Sequence, residues 1–253
     1  MAKKRYTGPY VSRGGEKLRG ALLAFDYYDS VQGLRALDVG ASTGGFTDCL
    51  LQAGASHVTA FDVAYGQFAW KLRQDPRVTV LERTNFRTAN FCELEDFEPP
   101  FDLVVADLSF ISLVKLVDQF KVSITKQHCC SPRSRHSELQ SRTSASDGGL
   151  SSGGDLILLV KPQFEALREE VPRGGVITDP ELHLTILQRL ARSFLDAGLV
   201  PVDWTYSPIK GPRGNIEFWL WARKEDTNSK VSESEANCAT IEEVVSNAHA
   251  DLS

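Results

Sequence analysis

Short apolar runs alternate with amphipathic stretches along most of the chain. Five runs rich in Val, Ile and Leu have the length of buried strands, and they are residues 34–39, 57–62, 78–81, 101–107 and 156–161. Between them, apolar residues recur every three or four positions, which is the pattern of a helix with one buried face. This pattern predicts helices over 14–29, 43–53, 112–122 and 180–197, and a helical stretch that contains Phe68, Trp70 and Leu72. Strands that alternate with helices predict a mostly parallel sheet covered on both faces.

The last two apolar runs, residues 200–206 and 215–222, are connected differently. Only the link Ser207-Pro-Ile-Lys-Gly-Pro-Arg-Gly214 separates them, and such a link is too short for a crossover helix. We therefore expect these two strands to pair antiparallel. The predicted fold is an α/β, Rossmann-like domain with a mostly parallel seven-stranded sheet and an antiparallel edge strand.

Three segments fall outside this pattern. Residues 123–154 contain many serines, Gly-Gly pairs and little apolar content, which predicts a disordered insertion in a loop. Residues 224–253 are polar and acidic, and we expect a disordered tail in which 240–247 at most form a short helix. Residues 1–9 form a basic N-terminal arm, so the folded domain is expected to cover residues 10–223.

The composition is that of an ordinary globular protein, with 42% hydrophobic and 24% charged residues. The sequence contains neither an apolar run long enough to span a membrane nor a signal-peptide core, so we expect a cytoplasmic protein without a membrane partner. The five cysteines are odd in number and lack C-x-x-C spacing, which argues against a disulfide framework. One loose cluster, His128, Cys129, Cys130 and His136, could suggest a metal. It lies in the expected insertion, so no metal site is predicted.

The formal net charge of −5 argues against indiscriminate binding to nucleic acids. The charge is unevenly distributed, however, since residues 1–20 carry a net charge of +5 and residues 224–253 one of −5. A basic arm beside a site can bind phosphate locally even in an acidic protein. A solvated tail is an equally good interpretation of this arm taken alone.

A glycine-rich turn follows the first predicted strand, in the sequence Leu37-Asp-Val-Gly-Ala-Ser-Thr-Gly-Gly-Phe46. Small residues at such a turn let a ligand approach the backbone at the start of the next helix. The pattern G-x-S-x-G-G differs from the dinucleotide pattern G-x-G-x-x-G. It suits a cofactor that carries an amino acid and a sulfonium and has no pyrophosphate, although the turn alone is weak evidence. The candidate cofactor-binding residues here are Asp38, Gly40, Ser42, Thr43, Gly44, Gly45 and Phe46.

A second acidic residue, Asp62, ends the second predicted strand, 22 residues beyond Gly40. A carboxylate at this place can accept hydrogen bonds from both ribose hydroxyls of an adenosine. It would serve NAD and S-adenosylmethionine equally well, and it could also be an ordinary solvated Asp in a turn. By position alone, Thr84 and Asn85 after the third strand are candidates for the adenine edge.

The fourth and fifth predicted strands end at Asp107 and Lys161. Because the carboxyl ends of parallel strands line the ligand crevice of an open sheet, both side chains are expected in one site. A lysine that ends an apolar strand is costly to bury without a partner, and Asp107 is its natural partner. The pair could be structural, but its place beside the glycine-rich turn favours a catalytic role.

Six motifs together resemble one family. They are YVSRGGEKL (10–18), DVGASTGGFTD (38–48), WKLRQDPR (70–77), DLSFIS (107–112), VKPQFE (160–165) and IKGPRGNIEF (209–218). The chain is similar over about residues 10–223, apart from the insertion, to the TlyA family. Its members carry the label hemolysin and belong with the FtsJ-like ribose 2′-O-methyltransferases of ribosomal RNA. The resemblance implies a class I S-adenosylmethionine methyltransferase that modifies a cytidine ribose of ribosomal RNA. It places the family's Lys-Asp-Lys-Glu catalytic set on Lys17, Asp107, Lys161 and Glu217.

A mechanism follows as a hypothesis from these four residues. Lys161 would act on the ribose hydroxyl as a base or as a stabiliser of the alkoxide. Lys17 would favour its neutral form by like-charge repulsion, and Asp107 and Glu217 would orient the two lysines, Asp107 also favouring the charged form of Lys161. Candidates for phosphate contacts are Arg13, Arg19, Lys210 and Arg213, and residues 164–178 could close over the target nucleotide. An ordinary surface residue is the alternative interpretation for each of them. Trp70 and Trp219 are expected in the core.

Two departures from the family keep other functions open. The family usually carries a small RNA-binding module ahead of this region, whereas about nine residues precede it here, and the insertion separates the fourth and fifth strands. A non-catalytic protein that holds the cofactor and binds RNA or assists ribosome assembly is therefore an alternative. Methyl transfer to a small molecule is another, and a membrane-active hemolysin is disfavoured by the lack of a spanning or basic amphipathic segment. The oligomeric state is left open.

Overall fold

A seven-stranded sheet forms the centre of the protein in a computed structural model that describes residues 6–94, 96–124, 154–224 and 238–252. The strands are β1 (Arg35–Val39), β2 (His57–Phe61), β3 (Val78–Leu81), β4 (Leu103–Ala106), β5 (Asp155–Val160), β6 (Leu199–Tyr206) and β7 (Phe218–Lys224). Their spatial order is β3-β2-β1-β4-β5-β7-β6. β1 to β5 are all parallel, and β7 runs antiparallel to both β5 and β6. The predicted fold class and the antiparallel pairing of the last two strands are confirmed.

The helices cover both faces of this sheet, and their bounds are α1 (Gly14–Ala24), α2 (Gly45–Gln52), α3 (Trp70–Arg73), α4 (Val117–Ile124), α5 (Pro162–Glu165), α6 (Pro180–Asp196) and α7 (Cys238–Leu252). Short 3₁₀ turns lie at Asp29–Val31, Phe91–Glu93 and Leu113–Leu116. Because side chains alternate along a strand, β5 places Leu156 and Leu158 in one core and Ile157 and Leu159 in the other. No helix in the described parts of the chain is both long and apolar enough to cross a membrane.

Strand β1 lies at the point where the order of the sheet reverses. It pairs with β2 on one side and β4 on the other, with Asp38 opposite Ala60 and Val105. The connections from β1 and from β4 leave in opposite directions along the sheet, and this opens a crevice at the carboxyl ends of the strands. In open α/β sheets, ligands bind in this crevice.

Three predicted helices begin or end elsewhere than expected. The helix predicted over 112–122 is a 3₁₀ turn at Leu113–Leu116 followed by α4, which ends at Ile124. Helix α1 ends at Ala24 and not at 29, because the chain turns at Asp26, which has a φ of +51°. Helix α2 begins at Gly45 and not at 43, because Gly44 is in the left-handed region and cannot belong to a right-handed helix. Periodicity alone could not locate these ends, since the residues on either side keep a helical spacing.

The expected disordered tail over 224–253 is wrong for its last part. Residues 238–252 form helix α7, in which Ile241, Val244, Val245 and Ala248 are buried in the same core as α6 and β6. The apolar positions of α7 recur at helical spacing. The acidic residues between them made the segment look like a polar tail, so no helix of this length was predicted from the sequence. Residues 225–237 lie outside the described residues.

The expected insertion over 123–154 begins later than predicted. Ser123 and Ile124 are buried at the end of α4, and Gly154 leads directly into β5. Residues 125–153 lie outside the described residues, and with them the cluster of His128, Cys129, Cys130 and His136. The same holds for residues 1–5 of the basic arm. Of the rest of that arm, Tyr6 donates a hydrogen bond to Glu16 and Pro9 accepts one from Gln52.

Candidate active site

The glycine-rich turn after β1 brings several segments into close contact. Gly40 has a φ of +83° and Gly44 one of +91°, which is the left-handed region that glycine adopts without a steric penalty. A Cβ atom at Gly40 would lie 2.5 Å from the carbonyl oxygen of Asp107. A Cβ atom at Gly45 would lie 2.3 Å from Ser12 Oγ. These glycines therefore let the end of β4 and the start of α1 approach the turn.

Asp38 lies directly beneath this turn and is completely buried. Its Oδ2 atom accepts hydrogen bonds from the backbone N–H and the hydroxyl of Thr47, at 2.9 and 2.6 Å. Its Oδ1 atom is buried without a hydrogen-bond partner among the residues that the structure describes. Burial raises the pKa of Asp38 to about 7, against the effect of the two hydrogen bonds. Beside the turn there is thus a buried acceptor for which the described part of the chain offers no donor.

Asp62 joins the end of β2 to the same turn. Its two carboxylate oxygens accept the backbone N–H groups of Ser42 and Ala64, at 2.6 and 2.7 Å. Since each carboxylate oxygen can accept more than one hydrogen bond, further donors can still bind there. Thr84 lies next to it, with its N–H bonded to the carbonyl of Asp62. The side chain of Asn85 instead accepts the N–H of Arg87 in its own turn, and this local bond competes with an external ligand.

Lys161 and Asp107 form the predicted ion pair. Lys161 Nζ lies 2.6 Å from Asp107 Oδ1 and donates a hydrogen bond of 3.0 Å to Ser109 Oγ. The side chain of Lys161 is 11% exposed and that of Asp107 is 27% exposed. The pair bridges the ends of β4 and β5, as expected from their parallel pairing.

Lys17 and Glu217 form a second ion pair, with a distance of 2.5 Å between Nζ and Oε2. Both side chains are buried, although they come from opposite ends of the sequence. A Cβ atom at Gly211 would lie 2.5 Å from Glu217 Oε1, so this glycine makes room for the carboxylate. The hypothesis that Lys17 acts on Lys161 by like-charge repulsion is therefore weakened, because Glu217 neutralises Lys17 directly.

Two cavities of about 290 Å³ each meet at these four residues. We call the first the turn cavity, which lies between the glycine-rich turn and the start of α1 and is bordered by Lys17 and Asp107. The second, the loop cavity, lies between the segments after β4 and β5 and is bordered by Lys161 and Glu217. Each ion pair therefore has one member in each cavity. Of the proposed cofactor residues, the turn cavity is lined by Gly40, Ser42, Thr43, Gly45, Phe46 and Asp107.

The position of Phe46 differs from that of the other proposed cofactor residues. Its side chain is 3% exposed and packs against Trp219 at 5.5 Å between ring centroids. Phe46 therefore belongs mainly to the core and borders the turn cavity from below. Trp219 itself is fully buried, as predicted.

The loop cavity has an aromatic wall that the sequence did not predict. Phe110 is 87% exposed with a φ of +67°, and its ring lies 5.1 Å from that of Phe164. The sequence signal that could have identified it is a phenylalanine directly after the polar end of the fourth predicted strand, in the D-L-S-F motif. Ser109, Gln163 and Asn215, also not predicted, line this cavity as well.

Residues 164–178, which could close over the target nucleotide according to the sequence, are hydrogen-bonded to neighbouring segments at several points. Glu165 accepts hydrogen bonds from Ser112 and Leu113, and Glu170 pairs with Arg189 through two bonds of 2.7 and 3.0 Å. Asn215 is buried and bonds to Gly175 and Ile177. In this conformation the segment forms one wall of the loop cavity, through Phe164, Val171 and Gly175.

The four predicted phosphate-binding residues fall into two groups. Arg13 borders the turn cavity and Arg213 the loop cavity. Arg19 and Lys210 border neither cavity, and the Arg19 guanidinium lies over the ring of Tyr28 at 5.9 Å. Only Arg13 and Arg213 are therefore next to the two ion pairs.

The prediction that Trp70 is a core residue is wrong, because its side chain is 69% exposed. Helix α3 has only four residues, and it buries Leu72 instead. Nearby, the Arg83 guanidinium stacks on the ring of Tyr65 at 3.9 Å. Among the described residues, no three His, Cys, Asp or Glu side chains are grouped as a metal site would require.

Comparison with known proteins gives consistent results. The sequence profile of the FtsJ-like methyltransferases matches residues 10–224. The 16S/23S rRNA (cytidine-2′-O)-methyltransferase TlyA of Mycobacterium tuberculosis is 44% identical over 216 residues, which are 85% of this chain and 69% of that protein. YqxC of Bacillus subtilis, named as an rRNA methyltransferase, is 39% identical over 96% of this chain and 75% of its own length. The solved structure of a hemolysin-named protein from Streptococcus thermophilus superposes with a TM-score of 0.77 at 36% identity, covering 98% of this chain and 77% of that one.

Proposed function

Since the chain belongs to the FtsJ-like methyltransferase family, we propose that it transfers a methyl group from S-adenosylmethionine to the 2′-hydroxyl of a cytidine ribose in ribosomal RNA. One observation carries this proposal. Two neighbouring cavities share Pro212 in their linings, and the Lys17–Glu217 and Lys161–Asp107 ion pairs each have one member in each cavity. A donor in the turn cavity and an acceptor in the loop cavity would meet at these four side chains.

The turn cavity fits S-adenosylmethionine in its chemistry. Asp38 lies next to the turn without lining this cavity, and its buried Oδ1 atom has no donor among the described residues; the cofactor's ammonium group would supply one. Asp62 at the end of β2 lies outside the lining of this cavity, but its carboxylate can accept further hydrogen bonds from ribose hydroxyls, and Gly40 lines the cavity without a Cβ atom. When bound, the cofactor supplies a methyl group on a positively charged sulfur. The same residues offer no cradle of the G-x-G-x-x-G type for a pyrophosphate.

We assign Lys161 to the ribose 2′-oxygen, the atom that accepts the methyl group. Its ammonium is paired with Asp107, and the ammonium of Lys17 is paired with Glu217. The Lys161 ammonium donates a hydrogen bond to the ribose oxygen. This bond stabilises the oxygen while the 2′-hydroxyl loses its proton to solvent. Asp107 and Ser109 hold Nζ at the boundary of the two cavities. Positioning of this kind supplies much of the rate enhancement in an in-line displacement.

The loop cavity fits a nucleotide that has been turned out of an RNA strand. Phe110 presents an exposed ring beside the cavity, and aromatic rings bind unpaired bases by stacking. Arg213 borders this cavity and Arg13 the other, so each provides a cation for the flanking phosphates. We propose cytidine and ribosomal RNA as the substrate because the name of the Mycobacterium tuberculosis relative specifies them.

The test is transfer of radiolabelled methyl from S-adenosylmethionine to unmodified ribosomal RNA and to ribosomal subunits. Lys161→Ala should lower the rate by about 10²- to 10⁴-fold, which is the usual contribution of such a group. The affinity for the cofactor, measured by calorimetry, should change little. Lys224→Ala is the matched control, since Lys224 is exposed at the end of β7 away from the site.

Label at a linkage that resists alkaline cleavage would establish the ribose as the target. Near-normal transfer by Lys161→Ala would contradict the role of that lysine. Cofactor binding without any transfer to RNA would favour the alternative of a non-catalytic, cofactor-holding protein. Label in a metabolite and not in RNA would assign a small-molecule substrate.

A further inference from the structure

A carboxylate outside the four-residue set connects the segments that follow β4 and β5. Glu165 Oε2 accepts a hydrogen bond of 2.6 Å from the hydroxyl of Ser112, and Oε1 accepts one of 2.8 Å from the N–H of Leu113. Burial raises the pKa of Glu165 above its ordinary value, although both hydrogen bonds act in the opposite direction. The carboxylate is therefore kept in this place in spite of a cost in solvation.

Glu165 belongs to a short stretch that contacts the segment after β4 three times. Lys161 binds Asp107 and Ser109, Phe164 contacts Phe110, and Glu165 binds the two residues just beyond. Lys161 has an extended backbone and directly precedes a helical turn that contains Phe164 and Glu165. Pro162 starts this turn as the first residue of α5. The motif K-P-Q-F-E thus supplies all three side chains that contact the segment after β4.

The segment that these side chains hold is not in a relaxed conformation. Phe110 has a φ of +67°, which is unfavourable for a residue with a large side chain. Such a conformation persists only where its surroundings determine it. Lys161 fixes the segment before Phe110 and Glu165 fixes it after, so the aromatic wall of the loop cavity is anchored on both sides.

We propose that Glu165 is a positioning residue for methyl transfer, which holds residues 107–113 so that Asp107, Ser109 and Phe110 keep their places beside Lys161. Glu165 borders neither the turn cavity nor the loop cavity, so it acts through these residues and not on the reacting atoms. This proposal rests on the proposed function for its effect on turnover. The anchoring of residues 107–113 can be measured without any activity.

The experiment compares Glu165→Ala and Glu165→Gln with the unsubstituted chain. Glu165→Ala removes both acceptors. We expect the single-turnover rate of methyl transfer to ribosomal RNA to fall by about 10- to 100-fold, because small displacements at a reacting centre have effects of this size. The dissociation constant of S-adenosylmethionine should stay within about twofold. Backbone amide exchange of residues 109–113 should become faster, while that of β1 and β4 stays the same.

Glu165→Gln should restore most of the rate. The glutamine oxygen can accept the N–H of Leu113, and the hydroxyl of Ser112 can turn to accept from the amide group. Glu93→Gln is the matched control, since Glu93 is an exposed carboxylate that accepts a hydrogen bond from Asn90 and borders neither cavity. Its rate and its amide exchange should equal those of the unsubstituted chain.

Three outcomes would overturn the proposal. An unchanged rate in Glu165→Ala would show that the anchor does not serve the reaction. Unchanged amide exchange of residues 109–113 would show that Glu165 does not hold this segment. An equal loss of rate, cofactor affinity and melting temperature in both variants would assign Glu165 to general stability only. If the unsubstituted chain transfers no methyl group at all, the proposed function fails, and the exchange result alone decides whether Glu165 anchors the segment.

Discussion

At the scale of single residues, Asp38 lies next to the glycine-rich turn without lining the turn cavity. Its carboxylate is fully buried, with one oxygen bonded twice to Thr47 and the other without a donor among the described residues. Such a group is poorly solvated when charged, and this is why the pKa of Asp38 is raised to about 7. A bound ammonium group would stabilise the charged carboxylate. Asp38 is therefore expected to couple cofactor binding to proton release.

Replacing Asp38 by Asn tests this role. The variant keeps an oxygen for Thr47 but has no negative charge to offer an ammonium group. We expect the affinity for S-adenosylmethionine to fall by about 10- to 100-fold, since a hydrogen bond to a charged group contributes about 1.5–3 kcal/mol. Calorimetric titration at pH 8 measures this, with Asp118→Asn as a control at an exposed carboxylate. An unchanged affinity would remove Asp38 from the cofactor site.

The raised pKa of Asp38 also predicts how the free energy of unfolding of Asp38→Asn depends on pH. The pKa of Asp38 is about 7 in the folded state and has the ordinary value of 3.8 in the unfolded state. At pH values between these two, the folded state therefore binds more protons than the unfolded state. The contribution of Asp38 is therefore fully present below pH 3.8 and is lost as the pH rises through about 7. We expect Asp38→Asn to gain stability relative to the unsubstituted chain between pH 5 and pH 8, as measured by denaturant unfolding. A constant difference across this range would contradict the raised pKa.

At the scale of elements, helix α7 shows that the C-terminal part of the chain is integral to the fold. It packs on α6 and β6 and buries Ile241, which is 2% exposed. A hydrogen bond of 2.9 Å between His183 and His249 joins α6 to α7. Burial lowers the pKa of His183 to about 4, so this contact is made by a neutral ring at neutral pH.

Shortening Ile241 tests this packing. Ile241→Ala should lower the free energy of unfolding by about 2–4 kcal/mol, because truncation of a buried apolar side chain leaves a cavity. Asn247→Ala, at an exposed position of the same helix, should stay within about 0.5 kcal/mol of the unsubstituted chain. Denaturant unfolding of both variants measures the difference. Equal stabilities would mean that α7 is not docked as described.

At the scale of the whole molecule, the net charge of −5 shapes how RNA can be bound. An acidic protein is not attracted to RNA over its whole surface, so binding must depend on a few cations near the site. Arg13 and Arg213 border the two cavities on either side of the ion pairs. We predict that these two arginines bind the phosphates that flank a target nucleotide.

The salt dependence of binding tests this arrangement. Each lost phosphate contact to a single strand should reduce the slope of log affinity against log salt by about 0.7. The double variant Arg13→Ala with Arg213→Ala should therefore reduce the slope by about 1.4. Arg77→Ala is the control, because Arg77 pairs with Asp75 and precedes β3, away from the site. A slope unchanged by the double variant would place the RNA elsewhere on the surface.

The sequence by itself determined the elements and the end of the sheet where the site lies. Apolar runs and helical spacing predicted all seven strands, and the rule for parallel sheets placed Asp107 and Lys161 together. These inferences succeeded because they depend on local pattern and on the geometry that all parallel sheets share. The assignment of Lys17 and Glu217 to the same site came from family resemblance and not from any such pattern.

Only the tertiary structure decided which groups face each other. The pairing of Lys17 with Glu217, 200 positions apart, the exposure of Trp70 and Phe110, and the docking of α7 all depend on contacts between distant segments. Burial and charge pairing are set by the neighbours that packing supplies, and a linear sequence does not specify those neighbours. The helices and strands of this protein can therefore be predicted from its sequence. The two cavities, and the two ion pairs that lie between them, arise only when the sheet is assembled.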